Sequence, residues 1–598
     1  MITLLKNLEI FFHTKKRLAI SLLQSQATFF LSSAFELSGI LLLGPLMFIA
    51  SSGELSLENN TISFIYSFLD FSSFNNFFLF FFVLTISLII IGALSSIFSV
   101  TLVSKISTKS GVTLGDKLLE HHLSQKWAYL NNISSSKVIN EIYQESARVT
   151  ENIFVPMMII SKSIILCIFI LLGLLYVDVL LTILFFIFLS TVYIALYILF
   201  RARLYKNSSI LTKAHEQRLN LLDNIFDIMK QIKIWGNASY FQENFHNVSL
   251  KWGESYRKNL NIALLPRYFV EACILIASAS VIYYSALPGV ELIDSVAKIS
   301  IFLFSAFKLL PAIQSLYYSS SQIRGNLYAL ESIISTLSDQ SATLQAEHNG
   351  STKVNDLPKL ENIALQNINF TYPENKSPTL HNINAQFSKN NIYGLTGPSG
   401  SGKSTFCDIL MGLLPSKDGE IIINGSTISI YENRNWFKIV SYSPPDAKLI
   451  DDTTMNNIYY NASSNNVNNL EFLDSIINLD FLNLHDLDTK MNVNSFSAGQ
   501  VQRIDLARTF ARKSPQIIIL DEPTASLDSI NTKNFISELH NLKQDKIIIL
   551  ITHELDLLKM VDGILVFNNG YLESYPDFIT AKKSSDTLNQ LLNSEINN

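Results

Sequence analysis

The stretch "IYGLTGPSGSGKSTFCDILMGLL", residues 392–414, decides how the second half of the chain folds. A short apolar run leads into Gly397-x-x-x-x-Gly402-Lys403-Ser404, and a helical run follows. Strand, glycine-rich loop and helix in that order make a P-loop. Gly397, Gly400 and Gly402 let backbone N–H groups turn inward around phosphates, and the helix start adds its positive dipole end. Ser399 and Thr405 flank this cradle. Lys403 is expected to reach the β- and γ-phosphates, and the Ser404 hydroxyl to bind Mg2+. A P-loop does not by itself choose among kinases, GTPases and motors.

Downstream, "PQIIILDEPTASLD" spans residues 515–528. The all-apolar run Ile517 to Leu520 predicts a strand buried on both faces. Asp521 ends it at the carboxyl edge, where open α/β sheets place ligands. It is expected to hold Mg2+ through water. Glu522 is the candidate to polarise an attacking water, a role that suits a well-placed carboxylate.

The discriminating stretch is "NSFSAGQVQRIDLARTFAR", residues 494–512. Phe496-Ser497-Ala498-Gly499-Gln500, with Gln502-Arg503 after it, resembles the signature motif of ATP-binding cassette (ABC) proteins. The resemblance implies that Ser497, Gly499 and Gln500 face the γ-phosphate of ATP held by a second cassette. Ala498 replaces a family glycine and adds a methyl group there. Other elements match in order. Tyr372 in "NFTYP" resembles the aromatic that stacks on adenine, Ser526-Leu527-Asp528 resembles the D-loop, and His553 in "ILITHE" resembles the switch histidine that touches the γ-phosphate. One element departs. Pro445, in "VSYSPPD", stands where the family has a glutamine that touches Mg2+ and the membrane domain, and proline has neither an amide side chain nor an N–H. The segment "TKMNVNS" before the signature also lacks the family's usual glutamate.

The first half is of another kind. The chain as a whole is 48% hydrophobic and 16% charged, with a net charge of −5 that suggests no nucleic-acid footprint. Cys167, Cys273 and Cys407 fit no disulfide framework or zinc spacing. A span needs about 20 apolar residues, and six candidates emerge at 19–50, 77–104, 154–176, 179–200, 264–287 and 295–316. Val177-Asp178 forces a tight turn between the third and fourth. The start, "MITLLKNLEIFFHTKKRL", reads as leading into an uncleaved first span. Segment 105–150 carries six Lys or Arg and segment 201–263 carries ten, whereas 51–76 and 288–294 carry none. The long loops, both termini and the cassette are therefore expected in the cytoplasm. The domains read as 1–336 transmembrane, 337–358 linker and 359–598 cassette.

Six spans fused to one cassette resemble an ABC exporter half-transporter. The expected fold is an α-helical membrane domain of six long helices followed by an α/β P-loop cassette. The resemblance implies coupling helices near 130–138 and 234–242. It also implies a working pair of two copies, a homodimer or a heterodimer with a paralogue. "LLPRYFVEACILI" (264–276) and the run from Ser300 to Ile333 further resemble bacterial lipid-linked oligosaccharide flippases. That likeness implies that Arg267 and Lys308 attract an anionic lipid headgroup. Intramembrane charges are costly and usually face a wet cavity or a partner. Arg267 has Glu271 four residues on as a local partner, and Glu36 and Lys298 are further candidates for internal ion pairs. The expected function is ATP-driven flipping of an amphipathic lipid-linked glycan at the cytoplasmic membrane. A peptide or hydrophobic drug exporter and a non-transporting regulatory ATPase are the rival readings.

Overall fold

The computed structural model describes residues 15–53, 60–71, 73–131, 133–285, 292–338, 359–372, 377–416, 418–431, 433–460, 479, 482, 490–512, 515–524 and 529–596. Contacts divide the chain into two units. One is Met1–Gln125 with Leu130–Thr343, and the other is Lys126–Tyr129 with Leu344–Asn598. The linker expected at 337–358 lies, beyond its first two residues, outside the described residues.

The first unit is helical. Its long helices are α1 (Lys15–Ser52), α2 (Phe74–Leu123), α3 (Val155–Val177), α4 (Val179–Asp227), α5 (Ala238–Ser285) and α6 (Leu292–Ser338). Each of the six expected spans falls on one of them: 19–50, 77–104, 179–200 and 295–316 lie inside α1, α2, α4 and α6, and 154–176 and 264–287 fall on α3 and α5 except for one and two end residues. Among the described residues, Ile20–Ala50, Phe74–Leu123, Ser135–Val177 and Ile301–Ser338 are long and apolar enough to cross a membrane. At 50 residues, α2 extends about 75 Å at the usual rise of an α-helix, more than twice a hydrocarbon core. It therefore continues well past any bilayer, as its polar second half predicts. Asp178 makes the α3–α4 turn: its backbone is extended at φ −156°, and its N–H returns to the Leu174 carbonyl.

Two features of this unit carry no sequence signal. The helical run entering α3 is wound as π-turns at Asn140–Glu145 and Thr150–Phe154, a winding that recurs at functional sites. Helix α2 also lies very close to α1 at Gly92, where a Cβ would meet the Glu36 backbone nitrogen at 3.3 Å. Glycine lets the two helices approach there.

Short helices lie at Trp127–Leu130 and Met229–Trp235, a few residues before the positions expected for coupling helices. The second ends on Gly236 in the left-handed region, φ +70°.

Among the described residues the second unit holds ten strands. β1 (Asn362–Phe370), β2 (Leu380–Ser388), β4 (Asp418–Ile423) and β5 (Ser426–Thr427) form an antiparallel sheet in the order β2-β1-β4-β5. β3 (Asn391–Thr396), β6 (Val440–Ser443), β7 (Ile517–Asp521), β8 (Ile547–Ile551), β9 (Gly563–Asn568) and β10 (Tyr571–Tyr575) form the other, in the order β10-β9-β3-β8-β7-β6. In it β6, β7, β8, β3 and β9 run parallel. Central strand β8 throughout, and β7 up to Leu520, are apolar and buried, as strands covered on both faces must be. Lys126–Tyr129 belongs to this unit. The Trp127 side chain lies near Asp408, Lys126 Nζ lies 5.5 Å over the Tyr431 ring, and Ala128 packs on the apolar cluster around Phe406 and Trp436.

Candidate active site

Strand order brings the chemistry together. β8 pairs with β3 on one side and β7 on the other. The P-loop after β3, the Asp521-Glu522 pair ending β7 and His553 just past β8 therefore share one sheet edge. Helix α7 (Lys403–Leu410) leaves the P-loop with its N-terminus at that edge.

Loop sterics fix which residues can stand there. Gly397 has φ +147°, and a Cβ on it would sit 2.3 Å from the Phe567 carbonyl oxygen. Gly400 has φ +76° with nothing within 4 Å of a Cβ position, so its backbone faces open space. Ser399 and Ser404 are exposed there, Gly402 caps α7, and Thr405 is buried behind the loop. Lys403 Nζ donates to the carbonyls of Gly397 at 2.5 Å and Pro398 at 3.0 Å. Burial lowers its pKa, while Asp521 and Glu522 pull the other way. The ammonium is thus parked on loop carbonyls that a phosphate would displace.

Asp521 is half-buried. Burial, then Glu522 beside it, pushes its carboxyl up to about 6; Lys403 and the nearby Tyr442 hydroxyl act in the opposite sense. Burial first, then the Asp521 charge, raises the Tyr442 phenol, so its hydroxyl keeps its proton. Glu522 holds a left-handed backbone, φ +47°, a conformation that persists in a non-glycine residue only when its surroundings enforce it. Here its N–H donates to the Ile551 carbonyl at 2.9 Å, and its carbonyl accepts from Gln502 Nε2 at 2.7 Å. His553 Nε2 lies 4.0 Å from Glu522 Oε1. Burial and the Lys403 charge lower the His553 pKa, which keeps the ring neutral near pH 7.

Helix α8 (Ala498–Ala511) begins on Ser497 as a capping box. Ser497 Oγ accepts from the Gln500 N–H at 3.3 Å, and Gln500 Oε1 accepts from the Ser497 N–H at 2.9 Å. Ser497 is exposed and Gly499 half-buried, so this helix start faces outward with its dipole open. Tyr372 stands beside the P-loop, its hydroxyl 3.2 Å from Thr405 Oγ1 and its ring edge-on to Phe370. Asp528, expected in a D-loop, lies outside the described residues.

The donor set suits Mg2+. Ser404 and Asp521 offer hard oxygens, and no group of three His, Cys, Asp or Glu that could cage a metal occurs among the described residues. Mg2+ takes one or two protein oxygens and completes its shell with phosphates and water.

Comparison with known proteins agrees with this layout. Residues 19–324, half of the chain, match the ABC transporter transmembrane region, and residues 380–525 match the ABC transporter domain. The chain belongs to the ABC transporter family. It is 27% identical over 370 residues to an ATP-dependent lipid A-core flippase of Photorhabdus laumondii, covering 60% of this chain and 62% of that protein. It is 31% identical over 366 residues to ATP-dependent lipid A-core flippase 2 of Colwellia psychrerythraea, covering 60% and 59%. The longer match to the Salmonella paratyphi A flippase of that name is 24% identical over 494 residues, 81% of this chain and 83% of that one. The chain thus spans about three-fifths of the first curated relatives it matches. A bacterial Atm1-family ABC exporter with ATP bound has the same fold, with TM-score 0.77 at 16% identity over 97% of this chain and 99% of that one.

The transporter's intramembrane charges are partly paired. Lys308 Nζ lies 3.2 Å from Glu36 Oε2, and Ser96 Oγ donates to Glu36 Oε1 at 2.5 Å. Lys308, expected on a headgroup, thus has a protein partner, although its side chain remains 46% exposed. Lys162 of α3 stands within electrostatic reach of both and lines a largely apolar cavity of about 640 Å³. Sequence reasoning did not single out Lys162, although it lies inside the span expected at 154–176. Arg267 lies on α5, and its side chain falls outside the described residues. Gln502 and Tyr442 were also missed as site residues. Gln502 sat in the quoted signature run, and Tyr442 in the run before Pro445.

Proposed function

We propose that this chain is one half of an ATP-driven exporter that flips an amphipathic anionic lipid, a lipid-linked oligosaccharide or related polyprenyl or lipid glycan, outward across the cytoplasmic (inner) membrane. The observation that carries the ATP-driven part is the convergence of Lys403, Asp521, Glu522 and His553 on three neighbouring strand ends. Lys403 and the α7 N-terminus bind the β- and γ-phosphates, and Tyr372 packs on the base. Ser404 and Asp521 would hold Mg2+, which when bound neutralises phosphate charge. Glu522 orients and deprotonates water, with neutral His553 beside it as a donor toward the γ-phosphate.

Each chain supplies one P-loop and one outward-facing signature helix, which supports a working pair of two identical chains with Ser497, Gly499, Gln500 and Asp528 of one closing on the nucleotide of the other. A pair with a paralogue is the variant form of this reading. The membrane orientation follows the Lys and Arg of the long loops.

The lipid cargo draws support from relatives named lipid A-core flippases and from basic residues Lys308, Lys162 and Arg267 on the long helices. The Lys308–Glu36 pair favours a second reading, a peptide or hydrophobic drug exporter, because it removes one positive charge from the cavity. Reconstituted vesicles separate the two. ATP with a labelled polyprenyl-pyrophosphate glycan is expected to give translocation; peptide accumulation with no glycan movement would overturn the flippase reading. ATP hydrolysis with no movement of any solute would favour a regulatory ATPase.

A further inference from the structure

Pro445 stands where the resemblance implies a glutamine that touches Mg2+, and proline has no amide side chain to offer. The strand just before it supplies another polar group. β6 pairs in parallel with β7, with Tyr442 opposite Ile519 and Ser443 opposite Leu520. Side chains alternate along a strand, so Asp521, two residues beyond Ile519, shares the Tyr442 face. There the Tyr442 hydroxyl lies close enough to the Asp521 carboxylate to stabilise its charge.

The strand that carries Tyr442 is fixed on both sides of it. Ser441 Oγ donates to the Thr509 carbonyl at 2.8 Å, and Ser443 Oγ donates to Asp505 Oδ2 at 2.8 Å. The Tyr442 carbonyl accepts from Thr509 Oγ1 at 3.4 Å. Thr509 and Asp505 both lie on α8, the signature helix. Pro444 and Pro445 then fix two successive φ angles directly after the strand. Tyr442 is therefore a donor on a rigid mount, aimed at the one carboxylate expected to meet the metal.

We propose that the Tyr442 hydroxyl orients the Asp521 carboxylate toward Mg2+ and so takes over part of the task that Pro445 cannot perform. Tyr442 is a positioning residue, acting through Asp521, and its role rests on the nucleotide reading above. It also ties the metal-side carboxylate to the signature helix through β6, so a shift of that helix moves Asp521.

The test uses the full-length chain in lipid nanodiscs and a fluorescent ATP analogue, with Mg2+ titrated at fixed nucleotide. Tyr442→Phe keeps the ring and removes the hydroxyl. The Mg2+ concentration at half-maximal binding is expected to rise about tenfold, the size of one hydrogen bond to a charged group. Binding in EDTA is expected to stay at the wild-type level, and Pro445→Gln in the Tyr442→Phe background is expected to bring the Mg2+ midpoint back. An unchanged midpoint in Tyr442→Phe overturns the proposal. An equal loss with and without Mg2+ also overturns it, because the ring would then serve packing alone. Failure of the wild-type chain to bind the analogue at all strikes the nucleotide reading instead.

Discussion

His553 Nε2 and Glu522 Oε1 stand 4.0 Å apart at the ends of two adjacent strands. Neither strand length nor sequence distance dictates this. The parallel pairing of β7 with β8, which sets Asp521 opposite Ile551, brings the two side chains to one point. A base and a neutral donor side by side can hold a water and a phosphate oxygen together. Glu522→Gln keeps the shape and removes the base. Turnover is expected to fall at least about 100-fold, while ATP binding persists and bound ATP accumulates. Phosphate release and nucleotide retention on a desalting column measure both, and unchanged turnover would remove the base role.

The strained backbone of Glu522 makes a second expectation. A left-handed φ in a non-glycine residue costs about 1–3 kcal/mol, and Gln502 Nε2 is one of two groups holding it. Gln502→Ala releases the Glu522 carbonyl without touching the P-loop. It is expected to lower kcat about tenfold, the effect of one lost hydrogen bond, with KM for ATP little changed. A rise in KM with kcat intact would show that Gln502 serves nucleotide binding instead.

The phosphate half was legible because its chemistry demands particular residues in a fixed order, as in Gly397 to Ser404. What escaped depends on register or on distant chain. Tyr442 meets Asp521 only because β6 and β7 pair in one register. Glu36 and Lys308 were each flagged as intramembrane charges, yet they lie 272 residues apart and nothing local pairs them. The π-turns at Asn140–Glu145 and Thr150–Phe154 carry no motif of their own, so apolar periodicity cannot reveal them. The two tip helices fell a few residues early, as element boundaries often do.

Asp408 gives a pH expectation. It sits on α7 near the Trp127 side chain, which favours its charged form, yet burial pushes its carboxyl up to about 6. An unfolded Asp titrates near 3.9. The folded chain therefore holds this proton more tightly, so this group's contribution is favourable at low pH and fades as pH rises through about 6. Asp408→Asn keeps the shape and removes the charge. It is expected to melt about 2–4 °C above wild type at pH 8, with the gap narrowing toward pH 5. Thermal unfolding of the purified full chain across that range checks this. A gap independent of pH would place the effect elsewhere.

The Glu36–Lys308 pair separates a structural charge from a cargo site. The Glu36 side chain is 11% exposed and Lys308 46%. Removing Lys308 leaves a mostly buried carboxylate without its cation, and truncating one partner of a buried pair costs about 3–5 kcal/mol. Lys308 keeps much of its exposure, and exposed pairs contribute only about 0–1 kcal/mol, so Lys308→Met is expected to cost on the order of 2 kcal/mol. Adding Glu36→Gln removes the stranded charge and is expected to restore most of that loss, as a double-mutant cycle in nanodiscs would show. Cargo-stimulated ATPase then gives the functional answer. If Lys308 also meets an anionic headgroup, stimulation stays low in the stable double variant. Full recovery of stimulation along with stability would leave Lys308 as a helix-to-helix tie alone and shift the headgroup role to Lys162 and Arg267.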